Sequence, residues 1–262
     1  MIAVTARRLP RTIYSLWLQG RDAAPDVVKL CFDRWERLNP DYDLRVLERR
    51  DFEAVLRGFP VDPARLTVQA ASNVCRVRLL GSTGGVWADA TLLPMIPLRA
   101  WLTEAPQGVD LFGFHPPGRA RPIASWFLAC GLGSYIARRW QDRVEAYWYK
   151  PRTLHQDPRD AGFIEPADPT WEVSLSGGAA RDSHPYFWFH YLFGELLETD
   201  PLFAQAWSAA PDVTSAPATG LQRLLGERPG ASEADVAEVA RRAPVQKLDW
   251  RHRYPIDLLS RL

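Results

Sequence analysis

The sequence predicts an α/β fold, and three observations carry that expectation. Short apolar runs of strand length alternate with longer stretches whose apolar residues recur at helical spacing. One such stretch, Leu66 to Leu80, meets Gly81, Gly84 and Gly85 and runs at once into Val86-Trp87-Ala88-Asp89. That is a helix, a glycine turn, and a strand whose far end presents a carboxylate, the place where ligands gather in open α/β sheets. Finally, 262 residues with 47% hydrophobic content suffice for one sizeable core. The chain is therefore expected as a single unit, 1–262, with its clearest patterning in 1–150 and a weaker one in 151–262.

The elements follow in order. Arg11 to Gln19 reads as a buried strand that ends at Gly20, and Ala24 to Arg37 as a helix with Pro25 in its first turn. Asn39-Pro40-Asp41 is a break, and Tyr42 to Leu47 alternates as a second strand. Asp51 is the expected cap of a helix over Phe52 to Leu56. Leu66 to Leu80 contains no Pro or Gly and is the longest helical run of the first half. Pro94 and Pro97 bracket the exit from the Asp89 strand, with a short helical piece at Leu98 to Leu102. Val109 to Phe114 and Ile123 to Cys130 read as strands, and Ser134 to Tyr149 as a helix with Trp140, Val144 and Trp148 on one stripe. Beyond Lys150, Tyr186 to Leu197 is helical and aromatic, Ala209 to Ala218 is a loop, and Ser232 to Arg242 is a helix with acidic residues early and basic ones late.

Composition excludes several function classes. Lys and Arg total 32 against 31 Asp and Glu, so charge gives no footprint of a general nucleic-acid binder. The three cysteines, Cys31, Cys75 and Cys130, lie far apart, without the CxxC spacing of a zinc site. They suit a reducing cytoplasm. The five histidines show no HExxH or HxxxH spacing, which disfavours zinc hydrolase chemistry. No signal peptide and no stretch of membrane-spanning length stands out, so the chain is expected to be soluble or at most peripheral to a membrane. Of the eleven tryptophans, core packing is expected to take most.

Chemistry concentrates between Ser72 and Thr91. Helical spacing puts Asn73 and Arg76 on one face, and the glycine turn folds the chain so that Asp89 comes near the same helix. A diphosphate leaving group needs this kind of site. A carboxylate holds a divalent metal, the metal neutralises phosphates, and a guanidinium adds positive charge. A buried structural ion pair between Arg76 and Asp89 accounts for the same spacing equally well.

The run ASNVCRVRLLGSTGGVWADAT resembles the donor-site signature of the capsular polysaccharide synthesis family and of the wider glycosyltransferase family 32. Further likeness lies in IYSLWLQG from Ile13, Asn39-Pro40-Asp41-Tyr42, Ser125-Trp126-Phe127, the aromatic run from Tyr186 to His190, and Pro244-Val245-Gln246-Lys247-Leu248. The resemblance implies a GT-A-like fold, with a mostly parallel central sheet, flanking helices and a helical C-terminal part. It makes 1–150 the nucleotide-sugar part and 151–262 the acceptor and closing part. The implied catalytic residues are Asp89, Arg76 and Asn73. Trp17 would stack on the base, and Leu16, Gln19, Trp87, Ala88 and Lys247 would complete the donor site. Ser125, Trp126 and His190 are the implied acceptor contacts. Asp89 and Thr91 are the implied metal ligands, for Mn2+ or Mg2+.

The implied reaction moves a hexose from a UDP-sugar, or a GDP-sugar, to a saccharide or lipid-linked glycan with retention of configuration. The implied setting is bacterial capsule assembly in the cytoplasm at the inner face of the membrane. Two departures matter: Asn73 stands where many relatives carry Asp, and Thr91 where a full DxD motif has its second Asp. They motivate an alternative, a sugar-nucleotide-binding protein without catalysis. A protein-glycosylating effector is a further alternative. His190 is read foremost as a structural ring among aromatics, and Ser176-Gly177-Gly178 with Trp171 and Glu172 as a loop near the acceptor.

Overall fold

The computed structural model describes residues 8–62, 66–102, 109–117, 121–149 and 187–262. The segment of Trp171, Glu172 and Ser176 to Gly178 lies outside the described residues. The first apolar run forms β1 (Thr12–Leu16), shorter than the Arg11 to Gln19 expected. It stops because the chain turns: the Gly20 N–H donates to the Trp17 carbonyl at 2.9 Å. Helix α1 (Asp26–Leu38) buries Val27, Val28, Cys31 and Trp35, the stripe its periodicity marks. The break at Asn39 has a second use. Its side chain accepts from the Leu98 N–H at 2.7 Å and donates to the Trp35 carbonyl at 3.0 Å. After β2 (Asp43–Leu47), α2 (Arg49–Val55) starts three residues earlier than a cap at Asp51 would have it. Asp51 lies in the first turn and accepts from the Glu48 N–H at 3.1 Å, so Glu48 is the boundary residue.

Helix α3 (Val68–Thr83) is capped by Thr67, whose hydroxyl accepts from the Ala70 N–H at 3.2 Å. It runs through Gly81, which was expected to help end it. Gly81 instead faces α4 (Tyr135–Trp148), where a side chain would run into Gln141. The turn falls at Gly84 and Gly85, with φ of 63° and 105°. A Cβ on Gly84 would lie 2.7 Å from the Gly131 carbonyl carbon, and one on Gly85 2.9 Å from the Thr12 carbonyl oxygen. Only glycine meets both demands.

The remaining elements are β3 (Gly85–Ala88), β4 (Leu92–Pro94), β5 (Leu111–Phe114), β6 (Ala124–Cys130), α5 (Trp188–Thr199) and α6 (Pro201–Ser208). They are followed by α7 (Gly220–Glu227), α8 (Glu233–Ala240), β7 (Val245–Lys247) and α9 (Ile256–Arg261). The main sheet has the order β2-β1-β3-β6-β5. β1 pairs in parallel with β2 and β3, while β6 runs antiparallel to β3 and β5. Four of the five strands thus share one direction and β6 opposes them, in keeping with the mostly parallel sheet expected.

Alternate residues feed two cores. Tyr14, Trp87 and Leu128 pack under α3, α4 and α5, while Ile13, Val86 and Phe127 pack with Trp35 of α1 on the other face. Burial drives this assembly, and the Trp140, Val144, Trp148 stripe of α4 is wholly inside. The three cysteines are buried free thiols, each pushed up to about 12 by burial. Antiparallel pairing of β4 with β7 brings the last part of the chain to the end of β3, with Lys247 opposite Leu92.

Candidate functional site

The place of Asp89 follows from simple lengths. Arg76 lies roughly 12 Å back along the helix from Gly84 at 1.5 Å per residue. Asp89 lies about 13 Å along the strand from Gly85 at 3.3 Å per residue. A tight reversal between them therefore sets the guanidinium and the carboxylate at the same height. Arg76 Nη2 donates to Asp89 Oδ1 at 3.2 Å, and the Trp87 indole N–H donates to the same oxygen at 3.0 Å. The Asp89 N–H donates to the Trp126 carbonyl at 2.9 Å, which ties the turn to β6.

Arg76 itself is 5% exposed and heavily engaged. It donates to the Ser125 carbonyl at 2.6 Å and to Ser72 Oγ at 3.2 Å. Its guanidinium also lies over the rings of Trp87 and Phe189, at 5.0 and 5.9 Å. The structural ion pair that accounted for the spacing equally well is therefore present. It leaves the second carboxylate oxygen, Asp89 Oδ2, facing a different cation. Lys247 Nζ stands 3.7 Å from that oxygen and donates to Thr91 Oγ1 at 2.6 Å and to the Leu248 carbonyl at 3.1 Å.

Other expected residues fall around this centre in differing ways. Trp87 and Ala88 are fully buried, so Trp87 braces Asp89 from beneath and does not form the pocket wall. Leu16 packs into the core under α3, and Gln19 is exposed on the turn after β1. Asn73 is half-buried beside Ser72, but Ser72 is the residue that holds Arg76. The four-residue spacing from Ser72 to Arg76 was the signal for it. Ser125 meets Arg76 through its carbonyl, and Trp126 stacks on Phe114 at 4.9 Å.

Trp17, just past β1, meets Trp250 edge to face at 5.8 Å, and its indole nitrogen is buried without a hydrogen bond among the described residues. Trp250, 45% exposed, was not singled out from the sequence, because nothing in its neighbours distinguishes an exposed Trp from a packed one. His190 sits between Phe187 and Phe189, and its Nδ1 finds no partner among the described residues. Burial first, then the charges of Arg76 and Arg121, push its imidazole down to about 3. It is a neutral ring.

The fit to a divalent metal is poor. No cluster of three or more His, Cys, Asp or Glu suited to an ion exists among the described residues. Asp89 Oδ1 already receives two donors, and Thr91 Oγ1 faces an ammonium. A hard cation needs several unengaged oxygens, and the described residues do not provide them.

A family model described as capsular polysaccharide synthesis protein matches residues 4–156. The chain belongs to this family. No curated protein sequence matches it significantly. Among solved structures it is similar to the PaToxG glycosyltransferase, with 13% identity over 90% of this chain and 85% of that one and a TM-score of 0.43. It is also similar to the glycosyltransferase domain of the YGT toxin. The UDP-bound form gives 8% identity and a TM-score of 0.44, the ligand-free form 9% and 0.47, each over 89% of both chains. In this member of the capsular polysaccharide synthesis family the matched stretch holds Trp17, Asn73, Arg76, Asp89 and Ser125. His190, Lys247 and Trp250 lie beyond it and reach the site, or its edge, only through the fold.

Proposed function

We propose that the chain is a glycosyltransferase that moves a hexose from a nucleotide-diphosphate sugar to a glycan hydroxyl in surface polysaccharide assembly. The observation that carries this reading is the carboxylate of Asp89 at the carboxyl end of β3, held by buried Arg76 with Lys247 at its open side. Family membership supports the polysaccharide setting. The motif resemblance favours UDP over GDP as the nucleotide, and retention of configuration.

In that reaction the bond between the anomeric carbon and the β-phosphate oxygen breaks, and its electron pair stays on the phosphate. The acceptor oxygen bonds to the anomeric carbon from the same face and its proton passes to the departing phosphate. The protein's part is to position the two substrates and to stabilise the developing negative charge. Asp89 orients hydroxyls of the donor as an acceptor of hydrogen bonds. Trp17 and Trp250 offer indole surface to the base at the neighbouring strand end. No helix among the described residues is long and apolar enough to cross a bilayer.

Calorimetry with UDP and GDP, on the wild type and on Asp89→Asn, tests the proposal together with release of free sugar from UDP-hexoses. We expect UDP to bind and a UDP-hexose to be hydrolysed, with the hydrolysis lost in the folded variant. A chain that binds neither nucleotide overturns the reading, and one that binds without turning over any donor leaves a sugar-nucleotide-binding protein.

A further inference from the structure

We infer that Lys247, backed by Arg76, holds the place of a divalent cation beside the donor diphosphate, so that the donor binds without metal. The inference rests on the proposed function and specifies how that site handles charge. One carboxylate and two cations meet at the end of β3. Arg76 lies at hydrogen-bond distance from Asp89 and is buried against it, so its charge is matched within the protein. Lys247 is placed differently. Its 3.7 Å separation from Asp89 Oδ2 is longer than a hydrogen bond, and its two close acceptors, Thr91 Oγ1 and the Leu248 carbonyl, are neutral. An ammonium has three N–H donors, and the third meets no acceptor at hydrogen-bond distance among the described residues. The side chain is 23% exposed. A positive charge aimed at a half-open site is what a diphosphate requires.

The same atoms disfavour a metal. Thr91, at the position of a second motif carboxylate, presents its oxygen to the ammonium. A cation between Asp89 and Thr91 would sit within a few ångströms of Lys247 and be repelled by it. Nor is Lys247 a loose surface chain. β7 is held from behind by Gln246, which is fully buried. The Gln246 amide accepts from the Leu221 N–H at 3.2 Å and donates to the carbonyls of Pro217, Val239 and Ala240 at 3.3, 3.2 and 3.2 Å. The charge is thereby fixed before any ligand arrives, which is how such a group contributes to stabilising a leaving phosphate.

The test is calorimetry of UDP, GDP and uridine with the full chain, in chelator and in Mn2+, for wild type, Lys247→Met and Lys247→Arg. We expect wild-type UDP affinity to be equal within twofold in the two conditions. Lys247→Met should lose at least tenfold for UDP and nothing for uridine, and Lys247→Arg should restore most of the loss. If Lys247→Met does not fold, Thr91→Asp serves, because its carboxylate would neutralise the ammonium and cost tenfold or more in chelator. Wild-type binding at least tenfold tighter with Mn2+, or a Lys247→Met protein that binds UDP like wild type, overturns the inference while leaving the proposed function standing. Absence of UDP and GDP binding in both conditions removes the proposed function, and the inference with it.

Discussion

Asp89 is a half-buried carboxylate with two donors on one oxygen, and its loss is felt by the partners that remain. Asp89→Asn keeps the shape but leaves Arg76 less compensated. We expect a cost of about 1–3 kcal/mol in urea unfolding, small enough for the variant to stay folded while donor hydrolysis is lost. Trp250 predicts the converse pattern. It is 45% exposed and meets Trp17 edge to face, so Trp250→Ala should cost only about 1 kcal/mol of stability. UDP affinity should fall about tenfold or more, given stacking worth about 1–3 kcal/mol per base. His190 makes a pH prediction with a definite sign. Its folded-state imidazole is held down to about 3, against about 6.5 unfolded. The unfolded chain thus binds the proton first, and stability present above about pH 6.5 declines as pH falls toward 3. His190→Gln should flatten that decline in urea midpoints taken at pH 7, 5 and 4. At this scale Arg76 and Asp89 were legible because one motif holds both. The burial of Trp87 was not, since a strand residue's face depends on what packs there.

Among the elements, the glycine reversal between α3 and β3 governs the site, because it sets the height of Asp89 against Arg76. Gly85→Ala forces a side chain into the left-handed region and against the Thr12 carbonyl. We expect a loss of about 1–3 kcal/mol by chemical denaturation, accompanied by weaker UDP binding as Asp89 shifts. Helices α1 and α4 were readable from the spacing of their apolar residues, and α3 from a long run without Pro or Gly that ends in glycines. The three-residue strands β4 and β7 were not: a pattern of period two has no room to show itself in three residues. The Pro244 to Leu248 segment stood out only by its family likeness, which implied neither a strand nor its pairing.

Across the whole molecule, side chains from α1 join parts of the chain far apart in sequence. Trp35 donates to the Leu92 carbonyl at 2.9 Å, and buried Arg34 donates to the carbonyls of Pro94 at 3.0 Å and Leu259 at 3.1 Å. Arg34→Met leaves two buried carbonyls without a donor. We expect about 1–3 kcal/mol of destabilisation and earlier protease cleavage beyond Asp249, read by limited proteolysis. The α/β architecture was foreseen from the order of elements, and a mostly parallel sheet only through the family resemblance. That the sheet order places β3 in the middle, with β6 reversed beside it, came from long-range pairing that no local pattern encodes. The contact between Lys247 and Thr91 spans 156 positions, and this separation has a consequence during synthesis. At roughly 5–20 residues per second, a ribosome makes Asp89 and Arg76 about 8 to 30 s before Lys247 exists. Over that interval Asp89 has its Arg76 partner but no ammonium at its other oxygen, so the arrangement of charge at the end of β3 is complete only once Lys247 has been made.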